Sequence, residues 1–165
     1  MARVVLTRAG FLKELPSDQA RDVAEQLMDV AERNGAELFW RSASVSVRVR
    51  CPLASPAREQ PAQGRPAFVS VAWLVLPGRR ALGGRLWGVS FGAFLGEKSA
   101  PRLKDRLSQW AEQFSTDDFA QFSTDFDFAK NAEGRAWSIA YDDAAQHIDL
   151  LAERLRQILV ELKSL

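Results

Sequence analysis

Cys51 and His147 could in principle support nucleophilic catalysis, and each is the only residue of its type in the chain. A histidine-activated thiol requires the nucleophile, the base and an orienting group in mutual contact. Cys51 lies on the valine side of an alternating valine–arginine run, where we expect a buried structural thiol. His147 lies one residue before an apolar helical seam, a position typical of a structural histidine. The sequence therefore predicts no catalytic residues.

A cluster of aspartates in the C-terminal half could bind a divalent cation, because carboxylate oxygens are the ligands that Ca²⁺ and Mg²⁺ prefer. Its members are Asp117, Asp118, Asp125 and Asp127. An EF-hand loop counted from Asp125 would need Gly and Glu where the chain has Lys130 and Ala136, so that motif fails. A non-standard site at the four aspartates stays open beside the simpler interpretation of a solvated acidic face. One cysteine and one histidine do not supply the several Cys and His ligands of a typical tetrahedral zinc site, and we predict no metal and no cofactor.

Nucleotide-binding and nuclease chemistry also lack the residues that they need. Gly83 and Gly84 fall between two predicted strands, whereas phosphate-binding glycines precede a helix. Ala67–Leu76 and Arg85–Leu95 contain neither an acid nor a lysine, so these central strands could not position a divalent cation for phosphodiester hydrolysis. We therefore expect a protein that is not an enzyme.

Charge is segregated along the chain although the formal net charge is only +1. Between Trp40 and Gly96 the arginines face a single acid, Glu59, and between Glu112 and Asp149 acids dominate over Lys130 and Arg135. Such bipolar patterning suits electrostatic docking. The candidate binding residues in the basic segment are Arg41, Arg48, Arg50, Arg79, Arg80 and Arg85.

The periodicity of apolar residues predicts which helices and strands carry these candidate residues. Alternating apolar residues predict strands, and spacings of three and four predict amphipathic helices. We predict helices over 17–34, 101–114 and 142–162, and strands over 37–41, 44–51, 67–76, 85–95, 125–129 and 135–141, with 2–7 as a further candidate edge strand. The fold class is α+β, a mainly antiparallel sheet with amphipathic helices packed on it, in the order α-β-β-β-β-α-β-β-α.

Length and composition favour a single domain over residues 1–165. No apolar run approaches the roughly 20 residues of a membrane-spanning helix, and a single cysteine suits a reducing compartment. We expect a soluble cytoplasmic protein that makes no membrane contact. Residues 52–66 are rich in Pro and Ala without apolar periodicity, which predicts a mobile loop.

The predicted order of elements resembles that of type III secretion chaperones and their relatives, in which a helix, three strands, a helix, two strands and a helix follow one another. The resemblance spans most of the chain and rests on topology, without a shared motif. The net charge of +1 departs from the acidic character usual in those chaperones.

Three functional hypotheses remain at this point. The first is a non-catalytic protein-interaction module or assembly component that binds another protein or itself through its segregated charges. The second is a nucleic-acid-binding protein with an arginine-rich sheet face, in which Trp40 and Trp87 would provide stacking platforms. The third is an enzyme or small-ligand protein with an unrecognised site.

Overall fold

The computed structural model describes residues 5–55, 67–116, 127–131 and 134–165. The elements in these ranges are α1 (Arg8–Lys13), α2 (Asp18–Arg33), β1 (Glu37–Trp40), β2 (Ser44–Arg50), β3 (Phe68–Val75), β4 (Val89–Phe94), α3 (Pro101–Thr116), β5 (Asp127–Asn131), β6 (Gly134–Ile139), α4 (Tyr141–Gln146) and α5 (Ile148–Lys163). The class is α+β, and the helices and strands follow one another in the predicted order, apart from the added α1 and a division of the last helix.

The strands form one sheet in the order β1-β2-β3-β4-β6-β5, and all neighbouring strands are antiparallel. The first four strands follow one another as a meander. Helix α3 follows β4 in the chain. After it, β5 and β6 form a hairpin, and β6 joins the sheet by pairing with β4. The antiparallel sheet predicted from the short strand connections is confirmed.

One face of the sheet carries the main core, against which the helices pack. The valines of β2 alternate as predicted, and Val45, Val47 and Val49 are all buried. Opposite them lie the apolar seams of the helices, which include Leu27 of α2 and Trp110 of α3. This burial supplies most of the stabilisation, at roughly 25 cal/mol per Å² of apolar surface.

The other face of the sheet carries a second, smaller apolar cluster of Trp73, Val75, Leu86 and Ala136. Leu86 belongs to the connection between β3 and β4, which therefore folds back onto this face. At Gly92 of β4, an added Cβ would collide with the carbonyl oxygen of Arg135. The small residues of β4 thus allow the close approach of a neighbouring strand.

Several predicted boundaries differ from the structure. Residues 5–7 are not in a strand, and α1, which the periodicity did not predict, follows them with Thr7 accepting a hydrogen bond from the backbone N–H of Gly10. The predicted helix over 142–162 is divided at His147, whose backbone is non-helical. The apolar period continues across His147, so the sequence pattern does not reveal the break.

The predicted mobile loop over 52–66 is anchored where it begins. Ala54 is buried, and the backbone N–H of Ser55 donates to Ser99 Oγ at 2.7 Å. The N–H of Ala100 also donates to the carbonyl of Leu53 at 2.9 Å. The remainder, 56–66, lies outside the described residues, and its mobility stays a prediction. Among the helices that are described, none combines the length and apolarity that a membrane span requires.

Candidate functional site

The candidate arginines are divided between the two ends of the sheet. Arg48 and Arg50 lie near the end of β2 that pairs with the beginning of β3, where Arg50 is opposite Phe68. Arg79, Arg80 and Arg85 lie in the connection that follows β3, at the other end. The length of β2 separates Arg50 from the second group by about 20 Å and Arg48 by about 13 Å, at roughly 3.3 Å per residue. The predicted arginine-rich face is therefore not continuous.

Arg41 lies at the same end of the sheet as the β3–β4 connection. It follows β1 in the turn before β2, and the carbonyl of Ala43, two residues further on, accepts a hydrogen bond from the N–H of Leu76 at 2.9 Å. Its guanidinium carbon is 5.2 Å from the centre of the Phe39 ring. The backbone of Arg41 thus lies at the end of the sheet that carries the connection, while its side chain reaches the Phe39 ring that Arg48 also contacts.

Arg48 is held within the protein instead of lying on a wet sheet face. Its guanidinium carbon is 4.1 Å from the ring centre of Phe39 and 4.2 Å from that of Phe68. Its Nη2 donates to Glu37 at 2.9 Å, and only 14% of its side chain is exposed. Ser44 and Ser46 on the same face of β2 are also buried. This part of the sheet face is therefore not solvated, because aromatic residues from β1 and β3 enclose the arginine.

The β3–β4 connection is a well-defined turn. The N–H of Ala81 donates to the carbonyl of Leu86 at 2.8 Å, and the N–H groups of Arg85 and Leu86 both donate back to the carbonyl of Ala81 at 3.1 Å. Between them Leu82, Gly83 and Gly84 have φ values of 49°, 65° and 88°. Two glycines accommodate this left-handed turn without the cost that a side chain would bring. The buried side chain of Leu86 anchors the turn to the sheet.

The arginines of this connection are exposed and have no carboxylate partner among the described residues. Arg80 Nη1 donates only to the carbonyl of Gly84, at 3.3 Å. Elsewhere in the described part, arginines are commonly paired with acids: Arg8, Arg21, Arg48, Arg106, Arg135 and Arg156 all form ion pairs. We refer to Arg79, Arg80 and Arg85 as the arginine turn.

The aromatic residues that a nucleic-acid platform would use contact other parts of the protein. The Trp40 ring packs edge-on against Phe11, with ring centres 5.8 Å apart. Phe39 and Phe68 enclose Arg48. Trp87 is half-buried next to the arginine turn. Nucleobases would therefore have to compete with contacts that these rings already make.

Three of the four predicted acidic-face residues, Asp117, Asp118 and Asp125, lie outside the described residues, and Asp127 is described only as the first residue of β5. The divalent-cation hypothesis consequently remains a prediction. Among the described residues, no group of three or more potential ligands is arranged to hold a metal ion. The Cys51 thiol is completely buried in the core, as predicted.

The sequence reasoning missed an acidic stripe on α2. Its members follow at spacings of four and three and are all exposed: Asp18, Asp22, Glu25, Asp29 and Glu32. The same helical period that predicted the buried face of α2 would have revealed this stripe on the opposite face. The charge balance along the chain does not reveal this stripe, because that balance combines residues from all faces of the helix.

A groove of about 280 Å³ runs between α2 and α5. Its lining mixes both charges: Val30, Arg33, Asn34, Asp149, Ala152, Glu153 and Arg156. Arg156 and Glu153 are already paired with each other, at 2.6 Å. At this volume, below the roughly 300–1,000 Å³ of typical ligand pockets, and with two of its charged groups already paired, this groove does not resemble a small-molecule site.

No family model, curated protein or solved structure matches this chain. The resemblance to type III secretion chaperones therefore rests on the order of the elements alone.

Proposed function

We propose that this protein is a non-catalytic interaction module whose arginine turn binds carboxylates on the surface of a partner protein. One observation carries the proposal. Three exposed arginines lie within seven residues on a hydrogen-bonded turn and have no acidic partner in the described part of the chain. Arginine is enriched at binding hot spots and pairs with carboxylates through two parallel hydrogen bonds.

The fixed shape of the turn favours binding. Like charges held close together repel one another, so an isolated arginine cluster is destabilising until a partner supplies the opposite charge. Because the turn is closed by hydrogen bonds and anchored by Leu86, binding orders little additional backbone. We also propose that the protein acts in the reducing cytoplasm, where a buried cysteine without a disulfide partner, such as Cys51, is common.

Binding of nucleic acid is the second candidate, and fewer observations favour it. Arg50 lies about 20 Å from the arginine turn, at roughly 3.3 Å per residue of β2. Arg48 is enclosed by rings that could otherwise stack on bases. The arginine turn alone would still give weak, salt-sensitive attraction to phosphates.

The test compares two triple charge reversals of equal size. One variant carries Arg79→Glu, Arg80→Glu and Arg85→Glu. The control carries Lys98→Glu, Arg102→Glu and Lys163→Glu, at three other exposed positions without described ion pairs. Each protein is immobilised and exposed to lysate of the native source at low and high salt, and the bound proteins are identified by mass spectrometry.

We expect wild type and control to retain the same partner, and the arginine-turn variant to lose it by tenfold or more. Equal retention by all three proteins would refute the arginine turn as the binding surface. A parallel fluorescence-anisotropy titration uses a labelled 20-mer of single-stranded DNA and one of RNA. Tight, steeply salt-dependent binding that the arginine-turn variant loses would favour the nucleic-acid candidate instead.

A further inference from the structure

The outer face of α2 presents the strongest run of acids among the described helices. Asp18, Asp22, Glu25, Asp29 and Glu32 share one face because their spacings match the helical repeat. From the first to the last, the stripe extends over about 21 Å, at roughly 1.5 Å per residue. The opposite face of α2 is fully committed to the core through residues such as Leu27 and Met28. The acidic stripe is thus held on a rigid element.

Among the described residues, both ends of the stripe form ion pairs and its middle does not, although the charge of Arg8 also acts on Glu25. Arg8 of α1 donates to Asp29 and to Glu32, at 2.7 Å in each case, and Arg21 pairs with Asp18 at 2.6 Å. Asp22 and Glu25 are exposed, and neither forms an ion pair within the described ranges. The centre of the stripe therefore offers two carboxylates to an incoming cation.

We propose that the partner of the arginine turn is a second copy of this chain, bound through the acidic stripe of its α2. This inference rests on the proposed function, since it names the occupant of the arginine turn. Charge complementarity carries it: the arginine turn contains no acid, and Asp22 and Glu25 form no ion pair within the described ranges. Both surfaces are exposed, and each is held on ordered backbone.

The contact joins two different surfaces of the chain, so it is heterologous. Repeated head to tail, it closes into a ring or continues as an open chain; two copies that exchange both contacts form an isologous two-fold pair instead. In every case association depends on ionic strength, because exposed charges are screened over about 8 Å at physiological salt. Self-association should accordingly increase with protein concentration and decrease with added salt.

The test is sedimentation velocity of the full chain over a range of concentrations at low and at 0.5 M salt. We expect wild type to self-associate at low salt and to dissociate at high salt. The variant Arg79→Glu/Arg80→Glu/Arg85→Glu should remain monomeric, and so should Asp22→Lys/Glu25→Lys. The controls, Lys98→Glu/Arg102→Glu/Lys163→Glu and Glu97→Lys/Asp105→Lys, should associate like wild type. Circular dichroism and thermal melting establish that each variant is folded.

The decisive measurement is an equimolar mixture of the two monomeric variants. In the mixture, the intact arginine turn of one variant meets the intact stripe of the other, and the two reversed surfaces are complementary again. Association restored to within about threefold of wild type supports the contact. A mixture that stays monomeric, or a wild type that is monomeric at every concentration, overturns it. In that outcome, arginine-dependent capture of a different protein from lysate would leave the proposed function standing.

Discussion

At the scale of single residues, Arg48 illustrates how an arginine can be structural although it lies on the side of the sheet away from the helices. Stacking of a guanidinium between two aromatic rings contributes about 0.5–2 kcal/mol per contact, depending on desolvation. Against this gain, Arg48 Nε is buried without an acceptor among the described residues, a cost of about 1–3 kcal/mol. The ion pair with Glu37 helps to offset that cost.

Arg48 and Arg50 should therefore respond very differently to the same charge reversal. Arg48→Glu places a carboxylate between two rings and directly opposite Glu37, and we expect it to lower the free energy of unfolding by about 2–4 kcal/mol. Arg50→Glu changes an exposed position and should cost at most about 0.5 kcal/mol. Urea denaturation monitored by tryptophan fluorescence measures both. Equal effects would show that Arg48 is not enclosed.

Tyr141, the only tyrosine of the chain, is a second residue whose burial has a measurable consequence. Its hydroxyl donates to the carbonyl of Val75 at 2.9 Å. Burial raises the pKa of Tyr141 well above its ordinary value, although the hydrogen bond with the backbone acts in the opposite direction. The folded protein thus holds the phenolic proton more tightly than the unfolded chain does, and its stability should fall once the unfolded chain ionises above about pH 10.

Replacement of Tyr141 by Phe tests this pH dependence. At pH 7 the variant leaves the Val75 carbonyl without its donor, and we expect a loss of about 1–2 kcal/mol in the free energy of unfolding. Above pH 10 wild type should lose up to about 1.4 kcal/mol per pH unit from this group, a contribution that the variant lacks. The difference between the two proteins should therefore shrink between pH 9 and pH 11 in urea denaturation. A constant difference would mean that the hydroxyl ionises normally in the folded state.

At the scale of elements, local patterns predicted the strands and the amphipathic helices well. The alternation in β2 and the three- and four-residue spacings in α3 each reflect one face packed against the core, and packing dominates local structure there. The start of α2 was likewise predictable, since Ser17 accepts from the N–H of Ala20 as a helix cap. Helix α1 and the break at His147 were not predictable, because α1 is only six residues long and the apolar period runs through the break.

The sequence predicted which arginines belong to the candidate site, but it did not predict where the fold places them. The sequence indicates which arginines lie near strands, yet it does not show that the β3–β4 connection folds back so that Leu86 reaches the second face of the sheet. That placement depends on Trp73 and Val75 of β3 offering an apolar surface on the side away from the helices. Likewise, Phe39 and Phe68 enclose Arg48 only because β1 and β3 flank β2 in the sheet. Both features are non-local.

At the scale of the whole molecule, one core connects elements from both ends of the described chain. A single cluster of buried residues includes Phe11 of α1, Val47 of β2, Phe91 of β4 and Leu162 of α5. Helix α3 is tied to α5 through Arg106, whose Nη2 donates to Glu161 at 2.6 Å. If one of these helices or strands detached from the others, part of the shared core would be exposed to water. We therefore expect all of them to unfold together.

This continuity predicts a single cooperative unfolding transition. Far-UV circular dichroism and tryptophan fluorescence should give coincident curves, with a calorimetric enthalpy of about 115 kcal/mol near 60 °C at roughly 0.7 kcal/mol per residue. Leu155→Ala, at a fully buried position of α5, should shift both curves equally and cost about 2–5 kcal/mol. Two separated transitions, or a shift of only one probe in Leu155→Ala, would show that the α2–α5 layer unfolds independently of the sheet. In that case the single-domain prediction would be wrong, and the acidic stripe and the arginine turn would belong to separate cooperative units.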